Sequence, residues 1–169
     1  ARDEAWRHTP IAPLAKGRFE PADPAARPAP GALAALPRDG GAEIVFVNGQ
    51  LSREHSALDP GQAGVVVASL RDLLREAPDR LEPWRGRVAD GRTGVFSDLN
   101  TAFAEDGAVV LLAPGTILKQ PILVAHLSAG DGEPAGCYAR TLVVAGRGSE
   151  CRLVETFASS SASASLTNA

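Results

Sequence analysis

Four short apolar runs in the C-terminal part of the chain do most to constrain its fold. They cover residues 109–112, 121–127, 141–145 and 151–157, and turns rich in Gly, Pro, Asp or Ser separate them, which is typical of β-strands. Because no helical pattern lies between them, an α/β sheet with crossover helices is excluded, and a sandwich, a barrel or a solenoid of stacked strands remains. The runs are irregularly spaced, which excludes a strict short repeat, but periodicity alone does not separate the three architectures.

The preceding part of the chain combines an extended connection with a hairpin. Residues 20–41 contain five prolines, whose fixed φ angles and missing amide donors argue against a regular helix or a central strand, so a surface connection is expected. Residues 43–47 form a β-rich run that ends in Asn48-Gly49, the dipeptide best suited to a tight hairpin turn. A short returning strand is predicted from Gln50.

Two helices are predicted between the hairpin and the later strands. Ser69 can cap the first, with Asp72 able to reach back to its amide, and Pro78 ends it. Ser97 or Asp98 can cap the second, which ends before the Asp-Gly pair at 106–107. The apolar residues at helical spacing are Leu70, Leu73, Leu74 and Ala77 in the first helix, and Leu99, Ala102 and Phe103 in the second.

The composition is that of a soluble globular protein without a basic surface. The 169 residues are 44% hydrophobic and 22% charged, and the net charge of −3 argues against nucleic acid as a partner. No apolar run approaches the roughly 18 residues of a membrane span, and the charged N-terminus does not resemble a signal peptide, so we expect a cytoplasmic protein with no membrane partner. The chain contains no methionine, so we expect a piece of a longer protein. The predominance of arginine over lysine hints at a bacterial source.

The histidines and cysteines form no recognisable metal or catalytic motif. His8, His55 and His126 lie in unlike segments, and only His126 lies in an apolar run, so surface or capping roles are favoured over a metal site. Cys137 lies in a Gly-rich turn and Cys151 at the start of a strand. Both are interpreted as small apolar packing residues, although thiolates can ligate iron and carry sulfur. No catalytic, cofactor-binding or metal-binding residue is assigned.

Other conspicuous residues have simple structural interpretations. For Glu155, a solvent-facing position on its strand is favoured over an inward carboxylate. The Gly-rich segments 91–94 and 146–148 lack the residues of a phosphate loop or a dinucleotide fingerprint and are interpreted as turns. Residues 159–165 are predicted to be a flexible loop. Trp6 and Trp84 are favoured as packing anchors over ligand platforms.

A longer series of residues resembles the SufB/SufD family of scaffolds for iron–sulfur cluster assembly. The run F-S-D-L-N-T-A-F at 96–103, followed by Asp-Gly at 106–107, Pro-Gly-Thr at 114–116 and Pro-Ile at 121–122, resembles the entry to the family's core domain. The element V-F-V-N-G at 45–49 resembles the one that precedes this core in SufD proteins, and it favours SufD over SufB. Residues 4–9 resemble the family's E-x-W-R-x-T start. The likeness covers nearly all of the chain.

This resemblance implies a mainly β fold, a right-handed parallel β-helix that is truncated here and preceded by a small N-terminal α/β cap region. Residues 1–95 would form the N-terminal region, with the proline-rich connection, the β-hairpin and a short helix. Residues 96–169 would form the incomplete start of the β-helix core, whose inward side chains stack into a dry interior.

The resemblance also implies a non-enzymatic scaffold subunit of the SufBCD complex. It would pair with a SufB-like subunit through β-helix edges and bind a SufC-like ATPase through a region beyond residue 169. The cluster-forming residues would also lie beyond residue 169, so the iron–sulfur cluster, and the reduced flavin associated with the family, belong to the assembled complex. Because an open β-helix end exposes unpaired backbone groups, the isolated chain is expected to form a homodimer or to aggregate.

Two alternatives remain open. A SufB-type subunit shares the fold and the pathway. A carbohydrate-active β-helix enzyme of the lyase or hydrolase type would need a cluster of carboxylates or basic residues on one face of its coils. The strands between 109 and 157 carry only Glu150 and Glu155 as acids near their ends, while Asp131 and Glu133 lie together in one turn.

Overall fold

The computed structural model describes residues 10–38, 40–84, 87, 94–130, 132–160 and 163–168. Within these residues the fold is mixed α/β, with ten strands in three sheets and few helices. The α-helices are α1 Ala12–Lys16, α2 Pro30–Ala34, α3 Leu70–Glu76 and α4 Val95–Phe103. The strands are β1 Glu20–Pro21, β2 Glu43–Val47, β3 Gln50–Leu51, β4 Val65–Ser69, β5 Asp106–Leu112, β6 Ile122–Ser128, β7 Ala135–Cys137, β8 Ala139–Ala145, β9 Leu153–Ser159 and β10 Ser165–Thr167. None of the helices in this described part has the length and hydropathy needed to cross a membrane.

Strands β5 to β10 add to the three sheets in turn, and they do so twice in the same order. The sheets have the strand orders β4-β5-β8, β3-β2-β6-β9 and β1-β7-β10. The chain passes through them as β5, β6 and β7 and then again as β8, β9 and β10, and each later strand pairs in parallel with its predecessor. The second passage therefore stacks on the first, and β8, β9 and β10 each lie at the end of a sheet.

The turns between these strands stack as well. The turn after β5 lies over the turn after β8, where the Gly115 amide donates to the Arg147 carbonyl at 3.0 Å and Ile117 bridges Glu150 in parallel. Gly115 and Gly148 take positive φ angles of 73° and 69°, a conformation that a residue with a Cβ adopts at a cost. The two turns thus each contain a glycine with a positive φ angle, although their sequences have little else in common.

Strands from the first half of the chain complete all three sheets, and β1 pairs in parallel with β7. β2 pairs in parallel with β6, and β4 pairs antiparallel with β5. The predicted division of the chain at residue 95 stays a prediction, and strands from both sides of it hydrogen-bond in the same sheets.

Burial on both faces explains why β2 and β6 are almost wholly apolar. One face packs against β4 and β5 in a core that includes Phe46, Val110 and Ile122. The opposite face packs beneath the proline-rich segment, where Leu36 is buried. A third cluster, around Leu73 of α3, covers the outer face of the sheet that contains β5.

Two buried polar side chains join the helices to this core. Asp106 is 2% exposed, and its carboxylate accepts hydrogen bonds from the Ser69 hydroxyl and from the amides of Leu51, Arg71 and Gly107. Asn100 of α4 donates to the carbonyls of Ala139 and Asn168 and accepts from the Arg140 guanidinium. These bonds hold α3, α4 and the strand ends in one arrangement.

The structure confirms the main elements expected from the sequence. The hairpin turn at Asn48-Gly49 has positive φ angles of 52° and 79°, as its dipeptide predicts. The Ser69 hydroxyl caps α3 by accepting from the Asp72 amide, while the Asp72 carboxylate bonds Arg53 and Arg75. The four predicted strands correspond to β5, β6, β8 and β9, with their bounds shifted by a few residues.

Several expectations need correction. The proline-rich segment is not wholly extended, because Pro30 at the first helical position leaves α2 free to form. Helix α4 begins at Val95 with Gly94 as its N-cap, not at Ser97 or Asp98. Strand β4 was not expected, since its apolar run lies directly before a helix and its period is ambiguous. The predicted loop at 159–165 is flanked by the end of β9 and the start of β10, and residues 161–162 lie outside the described part.

Candidate functional site

The register of three neighbouring strands builds a stack of three rings around His126. Phe46 of β2 lies beside His126 of β6, which in turn lies beside Phe157 of β9. The ring centroids are 5.5 Å apart on the Phe46 side and 4.8 Å apart on the Phe157 side, with interplanar angles of 14° and 10°. His126 is therefore held between two apolar faces and is only 4% exposed.

Glu155 joins His126 to Thr141 on the inner face of the strands. His126 Nε2 lies 3.0 Å from Glu155 Oε1, and the Thr141 hydroxyl donates to the same oxygen at 2.7 Å. We call His126, Glu155 and Thr141 the polar cluster. Alternation along β6 puts His126 on the same face as Ile122 and Val124, which belong to the core between the sheets.

The electrostatics of the polar cluster favour a neutral imidazole. Burial lowers the pKa of His126, while the hydrogen bond and the negative charge of Glu155 act in the opposite direction and only partly offset it. A neutral His126 that donates from Nε2 satisfies the carboxylate without an uncompensated buried charge. The arrangement can hold a proton between imidazole and carboxylate inside the fold.

The sequence left Glu155 either facing solvent on its strand or pointing inward as a carboxylate, and the structure combines the two. Its side chain is 31% exposed, in line with a solvent-facing strand residue, yet its carboxylate points to His126 and Thr141. The sequence signal for this pairing is weak, because it depends on the parallel register of β6 and β9. Thr141, Phe46 and Phe157 were missed for the same reason.

The two cysteines lie apart from the polar cluster, in different surroundings. Cys137 is 5% exposed and belongs to strand β7, not to a turn as expected. Its burial raises the pKa of the thiol, and a hydrogen bond with Ser128 partly offsets this effect. Cys151 is half-buried, precedes β9 and packs against the inner core. Both are free thiols.

The remaining candidate residues are distributed over the surface. His55 Nδ1 lies 2.7 Å from the Ser52 hydroxyl. Trp84 is 38% exposed. His8, Trp6 and most of the Gly-rich segment 91–94 lie outside the described residues, whereas residues 146–148 form the stacked turn after β8. In the described part of the chain, no group of three or more His, Cys, Asp or Glu side chains is placed to hold a metal ion.

Comparisons with known proteins place these features in a family. A family model described as the SufBD protein N-terminal region matches residues 37–124, which contain β2 to β5 and the start of β6. The chain is 30% identical over 157 residues to the iron-sulfur cluster assembly SufBD family protein slr0076 of Synechocystis sp., an alignment that covers 92% of this chain and 34% of that relative.

Two further relatives match a shorter part of the chain. The SufBD family protein ycf24 of Porphyra purpurea is 31% identical over 94 residues, which are 56% of this chain and 19% of the relative. The SufBD family protein ABCI9 of Arabidopsis thaliana is 31% identical over 88 residues, which are 52% of this chain and 18% of the relative. The chain thus spans about a third or less of the length of these relatives. The resemblance noted in the sequence is confirmed at the level of the family, and the chain belongs to the SufBD family.

Proposed function

We propose that this chain is part of a scaffold subunit for iron–sulfur cluster assembly. The observation that carries the proposal is the alignment over 92% of the chain with a relative whose name states iron–sulfur cluster assembly. In this proposal the subunit is not an enzyme, and the cluster is a cargo of the assembled complex. On composition alone, we also propose a bacterial, cytoplasmic protein.

The proposed fold of the subunit's core is a right-handed parallel β-helix, preceded by a small N-terminal α/β cap region. Its support is the repeated order β5-β6-β7 and β8-β9-β10, in which every later strand pairs in parallel with its predecessor. A structure of the full-length protein would test this. We expect further strands to pair in parallel with β8, β9 and β10, and a helical domain against these edges would contradict the proposal.

The proposed partners are a SufB-like subunit and a SufC-like ATPase. The element at 45–49 supports a SufD-type subunit through its resemblance to the element that precedes the core in SufD proteins, and in the structure it forms the end of β2 and the turn into β3. A SufB-type subunit remains the alternative within the family. No observation favours a carbohydrate-active enzyme, and the relatives described above carry iron–sulfur assembly names.

Co-expression tests the partners and the role together. The full-length protein that contains this chain is produced with the SufB-like and SufC-like proteins encoded beside it, and the purified complex is assayed for cluster transfer to an apo acceptor. We expect a stable complex that loses cluster transfer when this subunit is omitted. A protein that purifies alone, or a complex that transfers clusters equally well without it, would overturn the proposal.

A further inference from the structure

A cleft lined by aromatic and acidic side chains lies where three elements meet. The segment before β1, the hairpin turn after β2 and the end of α4 enclose a volume of about 330 Å³ beside strand β7. Phe19, Phe103 and Tyr138 contribute aromatic rings to its lining, and Glu20 and Glu105 contribute carboxylates. We call this the aromatic cleft. It is separate from the polar cluster, with which it shares no residue.

Phe103 is the most exposed of the large apolar side chains of α4. Asn100 is buried and bonded, and the Thr101 hydroxyl both donates to the Ser97 carbonyl and accepts from Arg140. Phe103 instead leaves 57% of its surface exposed, with its ring centroid 5.3 Å from that of Tyr138 at an angle of 33°. This tilted pair presents aromatic surface to whatever enters the cleft.

The charged side chains that line the aromatic cleft are acidic. Its described lining contains two carboxylates and no lysine or arginine. The chain's own Arg71 already places a guanidinium at the rim, where it bonds the Glu105 carboxylate at 3.1 Å and the Glu105 carbonyl at 3.3 Å. The Glu20 carboxylate has no side-chain partner among the described residues. A second cation can therefore be accommodated beside Glu20.

We propose that the aromatic cleft binds an arginine side chain presented by a partner protein. A guanidinium is planar, is weakly hydrated and stacks on aromatic rings while it donates to a carboxylate. Phe103 and Tyr138 supply the rings, and Glu20 supplies the opposite charge. The hairpin turn and strand β7 form the wall along which the partner's backbone lies.

Saturation-transfer difference NMR on the 169-residue chain tests this assignment. The probe is N-acetyl-L-arginine methylamide, and the matched control ligand is the corresponding citrulline derivative, which has nearly the same shape without the charge. We expect a saturable signal from the arginine probe and a clearly weaker one from citrulline. Equal signals from both ligands would show an apolar crevice without charge selection and would overturn the proposal, as would no signal at all.

Single-residue variants test whether the arginine probe binds in the aromatic cleft. Phe103→Ala is expected to abolish the saturable signal, and Glu20→Gln to weaken the binding of the arginine probe by about two- to fivefold, the range of a partly exposed cation–π or charge contact. Both residues are partly exposed or exposed, so both variants should unfold at the wild-type urea midpoint. Glu54→Gln removes an exposed carboxylate outside the cleft and is the control for net charge. If Glu54→Gln weakens binding as much as Glu20→Gln, or if Phe103→Ala binds normally, the site lies elsewhere and the proposal is wrong.

Discussion

Single buried polar residues hold this fold together by satisfying several backbone groups each. Asn48 donates to the carbonyls of Asp23 and Ala129 and accepts from the Ala129 amide, so it ties the hairpin turn to the end of β6 and to the N-terminal segment. Asp106 does the same with four donors. A polar residue of this kind is costly to remove, because its partners remain buried after it is gone.

The first prediction concerns Asp106. Asp106→Ala leaves three backbone amides and the Ser69 hydroxyl without their acceptor, so we expect the free energy of unfolding to fall by about 3 kcal/mol or more. Urea denaturation followed by circular dichroism measures the change. The exposed Glu54→Ala should stay within about 0.5 kcal/mol of the wild type. If the free energy of unfolding of Asp106→Ala falls no more than that of Glu54→Ala, the described role of Asp106 is contradicted.

The second prediction concerns His126 and pH. Because burial lowers the pKa of His126 below its ordinary value of 6.5, the unfolded chain binds a proton there at a higher pH than the folded chain does. The free energy of unfolding should therefore fall as the pH decreases from 7 through the ordinary value, by at most about 1.4 kcal/mol per pH unit from this residue.

The variant His126→Phe tests whether His126 causes this pH dependence of the free energy of unfolding. The variant keeps a stack of three rings and removes the titrating group, so its free energy of unfolding should depend less on pH between 7 and 5.5 than that of the wild type. Urea titrations at a series of pH values measure both slopes. Identical slopes would show that His126 does not carry the effect.

At the scale of the elements, the sequence predicted those turns and helix caps that depend only on neighbouring residues. The Asn48-Gly49 turn and the Ser69 cap were predictable because each depends on residues within four positions. Strands β7 and β10 were not, since three-residue strands between glycines and serines carry no periodicity and exist through their pairing with each other. The polar cluster was equally inaccessible, because Thr141 and Glu155 meet only through register across two sheets.

The third prediction tests the stacked turns. A Cβ on Gly146 would lie 2.5 Å from the Pro114 nitrogen and 2.8 Å from the Leu112 carbonyl oxygen, both of them backbone atoms. Gly146→Ala should therefore push the two turns apart and lower the free energy of unfolding by about 2 kcal/mol or more. Gly132→Ala is the matched control, since its Cβ would meet nothing within 4 Å. Equal urea midpoints for the two variants would contradict the close stacking of these turns.

At the scale of the molecule, three sheets end on the same side. Strands β8, β9 and β10 are the last members of their sheets, and Val143 and Phe157 leave 44% and 54% of their surfaces exposed there. Such edges present unpaired amides and carbonyls together with apolar side chains, a combination that promotes pairing between chains.

The fourth prediction follows from these edges. The isolated 169-residue chain should self-associate, with an apparent mass in light scattering that increases with concentration. Val143→Lys places a charge on the β8 edge and should shift the chain toward monomer, whereas Val95→Lys, at an exposed position on α4, should not. A monodisperse wild-type monomer across the concentration series would contradict this prediction.

The parallel pairing of β2 with β6 has a consequence for biosynthesis. β3 follows β2 at once, but β6 leaves the ribosome only after the whole of α3, α4 and β5 has been made. The edge of β2 that pairs with β6 therefore stays unpaired while residues 48–121 are synthesised, and contacts so distant in sequence form slowly. A nascent chain of this kind depends on protection of that hydrophobic hairpin until its partner strand emerges.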